Sequence, residues 1–182
     1  MAEQFPGLNE KIRDFIARQH IYFVGTAAGE GRVNVSPKGR DSLRIIDDNK
    51  VIWLNLTGSG NESAAHILDN NRMTIMFCSF DKQPLILRLY GKARAIHPRD
   101  SEWDSLLSQF EETVGARQIF ELDIDLVQTS CGYAVPKYSF ETERDTLKNW
   151  AEKKGPEEVE KYWRDNNVNS MDGLPTNILG DV

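Results

Sequence analysis

Three stretches of this chain carry residue types and spacings suited to holding an anion. The first is Thr57-Gly58-Ser59-Gly60-Asn61, which follows the apolar run VIWLNL and leads into NESAAHILDNN. A loop that ends a strand and opens a helix presents unpaired backbone N–H groups together with the positive end of the helix dipole. Its glycines let a ligand approach the main chain, and Ser59, Asn61 and Ser63 add donors, whereas Glu62 competes for the same dipole. The spacing is neither a P-loop nor a dinucleotide fingerprint, because no Lys follows the second Gly and no GxGxxG is present. The second stretch is a pair of basic clusters: Arg32, Lys38, Arg40 and Arg44 against Asp41, and Arg88, Lys92, Arg94 and Arg99 with no acid among them. A solvated strand face that discourages edge pairing is the plain explanation; a phosphate site inside an acidic protein is the sharper one. The third is VNVSPKGR, residues 33–40, where Pro37 removes a ladder donor and pairing is expected to stop or bulge. Backbone groups of Val35 and Ser36 would then be free for a planar polar ligand, with Lys38 beside them, although a simple hairpin exit has the same appearance.

Other chemistries lack their residues. No Ser-His-Asp, Cys-His or paired-carboxylate constellation is visible. His20, His66 and His97 are scattered, and Cys78 and Cys131 stand 53 residues apart, so neither metal-ligand spacing nor a disulfide framework is expected. Acids outnumber bases 28 to 22, a net charge of −6, which disfavours nucleic acid and anionic membrane as partners. No apolar run reaches the roughly 18 residues of a membrane span. The opening MAEQFPGLNEK has no basic start before an apolar stretch, which points to the cytoplasm.

The elements that must position these residues follow from hydrophobic period. Leu8, Ile12, Phe15 and Ile16 recur at helical spacing. Short β-rich runs are expected at 21–27, 32–36, 51–56, 72–80 and 85–97, with glycines between them and Lys50 in a polar turn. A sixth strand, 118–128, alternates Phe120, Leu122, Ile124 and Leu126 with Glu121, Asp123 and Asp125, predicting one buried and one wet face. Helices are expected at 61–71 and 100–114. A helical tail is expected around Leu147–Ala151 and Val159–Trp163, with Gly155-Pro156 as stop and start. Short connections favour a mainly β, antiparallel architecture, and closure removes exposed edges. The expected fold is a six-stranded antiparallel split β-barrel with peripheral helices: residues 1–140 as the binding domain, and 141–182, which hold ten acids and six bases, as a helical extension packed on it.

In order and spacing, VNVSPKGR, IWLNLTGSGNESAAHILDNNR and RLYGKARAI resemble the pyridoxamine 5'-phosphate oxidase-like family of split-barrel flavin proteins. QTSCGYAVP, ERDTLKNWAEKKG and SMDGLP resemble a subgroup of it and extend the likeness over nearly the whole chain. The resemblance implies FMN at the interface of a homodimer. Val35, Ser36, Pro37 and Lys38 would lie along the isoalloxazine, and Asn55, Thr57, Gly58, Ser59, Asn61 and Ser63 would hold the ribityl phosphate. Arg88, Cys131 and Tyr133 would approach from the partner subunit. Two family features differ: Ile86 stands where the oxidases have a flavin-contacting Gln, and Glu62-Ser63-Ala64 stands for their Ser-Arg-Lys. Lys38 or Arg40 is the candidate to replace the missing phosphate-binding cations. The implied function is an FMN-dependent oxidoreductase acting on a small molecule, with hydride chemistry supplied by the flavin. The C-terminal segment lacks the oxidases' Arg-Leu-x-Pro pattern, so a true pyridoxamine 5'-phosphate oxidase is not expected. A non-catalytic flavin-binding or sensing module, and a barrel that holds a deazaflavin or haem, are the alternatives.

Overall fold

The computed structural model describes residues 2–111 and 113–180. Eight strands form one antiparallel sheet, which curls into a half-barrel: β1 (Glu3–Phe5), β2 (Tyr22–Thr26), β3 (Asn34–Lys38), β4 (Leu43–Ile45), β5 (Lys50–Leu56), β6 (Arg72–Cys78), β7 (Ile86–Ile96) and β8 (Ala116–Ser130). Their order across the sheet is β3-β2-β6-β7-β8-β5-β4, with β1 pairing to β8. Each of the six expected strands is present, and β1 and β4 are short additions of three residues. Edges are left at β3 and β4.

Helix α1 (Glu10–Ala17) is capped by Asn9, whose Oδ1 accepts from the Ile12 amide at 3.0 Å. Its face of Ile12, Phe15 and Ile16 packs with Val24, Trp53, Leu87, Leu89 and Phe120 in the main core. A second cluster, Ile52, Leu54, Ile96, Trp103, Phe110 and Ile119, buries the other side of β5 under α3 (Trp103–Leu107). β5 is therefore apolar on both faces, which is why it reads as a continuous hydrophobic run. Midway along β7 the register to β8 slips at Tyr90/Gly91. A Cβ on Gly91 would run into the Asp123 carbonyl, 2.9 Å from its carbon, so glycine is required for the two chains to approach.

Several expectations need correction. β3 begins two residues later than predicted, because the Arg32 amide and guanidinium are both drawn to Asp172. Pairing does not stop at Pro37, which stays in register opposite Phe23. β3 is an edge strand, so one side of its ladder has no partner and the missing N–H is tolerated there. The helix predicted over 100–114 shrinks to five residues, with the Ser105 and Ser108 hydroxyls bonded to the Glu102 and Ser105 carbonyls. Arg44 then catches the Gln109 carbonyl at 2.9 Å and lies over the Phe110 ring, and Gly115 turns at positive φ into β8. Glu112, within that predicted helix, lies outside the described residues. The wet face of β8 holds for Asp123 and Asp125, whereas Glu121 is buried between Arg94 and Lys50. Lys50 itself is no turn residue but the first of β5, bridging Glu121 and Asp123.

After β8 the chain reaches α4 (Thr146–Asn166), which Gly155 kinks at φ 73, ψ 166 ahead of Pro156. Ala151 and Val159 are its buried positions, and Trp150 meets Tyr162 edge-on across the kink. Among the described residues, no helix is long and apolar enough to cross a membrane.

Candidate anion site at the start of the second helix

Helix α2 (Glu62–Asn70) starts where β5 ends, and its first turn closes a cavity of about 320 Å³. Ser36 and Lys38 of β3, Asn55 of β5, Gly58, Ser59 and Asn61 of the loop, and Ser63 of α2 all line it. Two residues unseen by sequence reasoning join them: Asn34, one alternation before Ser36 on β3, and Arg117 at the head of β8. Among the described residues, no main-chain N–H from Gly58 to Ser63 has an acceptor. That leaves six donors in the loop and at the positive end of the α2 dipole.

Arg117 is 3% exposed and has no carboxylate within salt-bridge distance among the described residues. It donates to the Gly60 carbonyl at 3.0 Å, to Asn167 Oδ1 at 2.8 Å and to Asn55 Oδ1 at 3.3 Å, all neutral acceptors, while its Nε is buried without a partner. Burial brings its pKa down to about 10. Lys38 reaches over the Trp53 ring, 5.2 Å from its centroid, and Trp53 stacks on Phe120. Burial, and then the nearby Arg117 charge, bring the Lys38 amine down to about 8. Glu62 also lines the cavity, but its carboxylate is held by the Met171 amide, and among the described residues neither cation is in an ion pair. Two such cations close enough to repel each other are unfavourable unless an anion joins them.

The polar frame is tightly tied. Gln118, fully buried, donates to Asn61 Oδ1 at 2.6 Å, so the Asn61 side chain is committed to the frame and does not cap α2. Asn34 donates to Ser63 Oγ at 3.3 Å and to Thr26 Oγ1 at 3.4 Å, and Thr26 in turn meets His66 Nδ1 at 3.1 Å. Glu62, the predicted competitor, turns both carboxylate oxygens to the Met171 amide.

The remaining predicted residues fall elsewhere. Val35 is 64% exposed and, like Pro37, lies on the opposite face of β3. Thr57 is buried as an anchor: its hydroxyl donates to the Gly115 carbonyl at 2.9 Å and accepts from Trp163 Nε1 at 2.8 Å. Arg40 turns away at φ 58 to the Arg144 carbonyl and Asp145. Arg88 bonds Ser130 Oγ at 3.1 Å, and Cys131 and Tyr133 are exposed, so none of the three lines this chain's cavity. Arg117 carried one faint signal, a cation inside the apolar opening of β8, where both faces are covered.

A half-barrel of antiparallel strands with few peripheral helices, in which a helix start, a strand edge and two buried cations converge on one cavity, is the architecture of a split-barrel protein. A family model described as pyridoxamine 5'-phosphate oxidase matches residues 8–131. The chain is 36% identical over 191 residues to the pyridoxamine 5'-phosphate oxidase family protein ustO of Aspergillus flavus, covering 94% of this chain and 76% of that one. It belongs to the pyridoxamine 5'-phosphate oxidase family. Two solved structures share the fold. HupZ of Group A Streptococcus has a TM-score of 0.53 at 20% identity, over 65% of this chain and 91% of that one. HutZ, the heme storage protein of Vibrio cholerae, has a TM-score of 0.50 at 17% identity, over 70% of this chain and 98% of that one.

Proposed function

We propose that this protein binds FMN and acts as an FMN-dependent oxidoreductase on a small molecule. The observation that carries the reading is the pair of cations outside any ion pair, Lys38 and Arg117, beside six acceptor-less amides in the loop and first turn of α2. A phosphate monoester fits that donor set, since it brings up to two negative charges and three acceptor oxygens to unpaired cations and unpartnered amides. Arg117 and Lys38 thus supply the charge that the Glu62-Ser63-Ala64 stretch does not. When bound, the flavin would supply hydride transfer. The chain's own part is to hold the phosphate, to offer the free edge of β3 to a planar polar ring, and to exclude water at the loop. A homodimer belongs to this reading: Val33, Val35, Tyr133 and Tyr138 are exposed large apolar side chains. Arg88, Cys131 and Tyr133 would reach a flavin only from a partner subunit. No histidine is among the residues lining the cavity, which favours flavin over the haem that HutZ's name carries.

The protein is also proposed not to oxidise pyridoxamine 5'-phosphate. Arg164, the last arginine, is engaged by Glu160, and residues 165–182 hold no Lys or Arg, so the closing segment offers no free cation to a second phosphate. The visible spectrum of the purified protein, before and after FMN addition, tests the cofactor. A flavin spectrum with micromolar or tighter affinity is expected, and a colourless protein without an FMN thermal shift overturns the reading. Reduction by NADH or NADPH no faster than that of free FMN would confine the function to binding. Turnover of pyridoxamine 5'-phosphate at about 0.1 per second or faster would overturn the exclusion.

A further inference from the structure

We infer that Asn167, on the turn leaving α4, is the positioning residue that keeps the cavity's positive charge uncancelled and its loop amides pointed outward. The inference rests on the phosphate reading above. Asn167 lies 50 residues from Arg117 and 106 to 109 residues from Asn61, Ser59 and Gly58, separations that no motif links, and yet it is 0% exposed.

Its side chain does two things at once. The carboxamide oxygen accepts from Arg117 at 2.8 Å, holding the guanidinium in place without neutralising it. The carboxamide nitrogen donates to the carbonyls of Gly58 at 3.2 Å and Ser59 at 3.5 Å. In a trans peptide the N–H points opposite to the carbonyl, so these two bonds turn the amides of Ser59 and Gly60 away from Asn167. Both amides are among the six without an acceptor. The main chain of Asn167 is fixed as well. Its N–H reaches the Trp163 carbonyl at 2.8 Å, and its own carbonyl accepts from Thr176 Oγ1 at 2.6 Å and Asn61 Nδ2 at 3.5 Å. The C-terminal segment therefore sets the shape and charge of a site built from β3, β5, α2 and β8.

A neutral amide is required for this task. An Asp at the same position would form a buried ion pair with Arg117 and take the place of the anion. The test compares FMN with riboflavin, which lacks only the phosphate, on the full-length wild type, Asn167→Asp and Asn167→Ala. Wild type should prefer FMN by about 100-fold, the scale of two charge-assisted contacts. Asn167→Asp should cut that preference to about tenfold or less while still folding, melting several degrees below wild type because the Gly58 and Ser59 carbonyls lose their donor. Asn167→Ala should give an intermediate preference, and it carries the test if the Asp variant does not fold. A role in stability alone would weaken FMN and riboflavin in equal proportion. A wild-type-like FMN preference in either folded variant overturns the inference and leaves the cofactor reading standing. A wild type without FMN preference overturns the phosphate reading and this inference with it.

Discussion

Arg117→Met separates the two roles a buried cation can have. The guanidinium is 3% exposed, and burial brings its pKa down from its ordinary value to about 10, so the folded chain opposes its charge. For a base with a lowered pKa, that penalty is present in full below about pH 10 and fades towards its ordinary value. Such a shift corresponds to about 3 kcal/mol at neutral pH. Methionine keeps much of the volume and removes the penalty, but it leaves the Gly60 carbonyl, Asn55 Oδ1 and Asn167 Oδ1 without this donor. At about 1 kcal/mol for each orphaned acceptor, the two effects nearly cancel. Ligand-free Arg117→Met should therefore unfold within about 1 kcal/mol of wild type in urea at pH 7. FMN should nevertheless bind more weakly by about 1.5–3 kcal/mol, roughly 10- to 150-fold, in a fluorescence titration. Unchanged FMN affinity would refute the anion assignment. A loss of more than about 3 kcal/mol in the ligand-free protein would refute the uncompensated-charge argument.

Lys38→Ala should weaken FMN by about 1.5–3 kcal/mol, whereas Lys82→Ala, at an exposed turn before β7, should not. Since the Lys38 amine sits at about 8, wild-type FMN affinity should fall by about tenfold between pH 7 and 9.5 and the Ala variant should lose that dependence, as titrations at both pH values would reveal. Gly91→Ala should destabilise the sheet by about 3 kcal/mol or prevent folding, read by thermal melting, because its Cβ meets the Asp123 carbonyl; a wild-type melting temperature would contradict the bulge geometry. Sedimentation should show a dimer, and a monomer that retains FMN would remove the shared-site argument.

The strand series was legible because its apolar residues alternate or run continuously, and α1 because Leu8, Ile12, Phe15 and Ile16 share a face. Ser36, Lys38, Asn55, Gly58, Ser59, Asn61 and Ser63 were legible as site candidates because turn chemistry and the strand-to-helix switch are local. What stayed hidden was non-local. Nothing near Arg117 in sequence indicates that its partners are Gly60, Asn55 and Asn167. Thr57 looked like a ligand donor because its part in anchoring Trp163 depends on α4 folding back. Arg40 looked like a phosphate cation because its left-handed backbone, which aims it at Asp145, leaves no mark in residue type. The shortened α3 shows a helical pattern overruled by tertiary contacts at Phe110 and Arg44.

β8 has consequences for how the chain is made. It pairs with β1, β5 and β7 at once, joining Glu3 to Thr129 and Lys50 to Asp123. During synthesis the first hundred residues leave the ribosome with β1 and β5 lacking the neighbour that completes them. Apolar side chains such as Val51, Trp53, Leu87 and Leu89 then wait, uncovered, for residues 116–130 to emerge. Long-range pairing of this kind is slow and leaves a nascent chain open to aggregation. Expression yield should therefore depend on chaperone supply and on translation speed through the β8 codons more than on the stability of the finished fold.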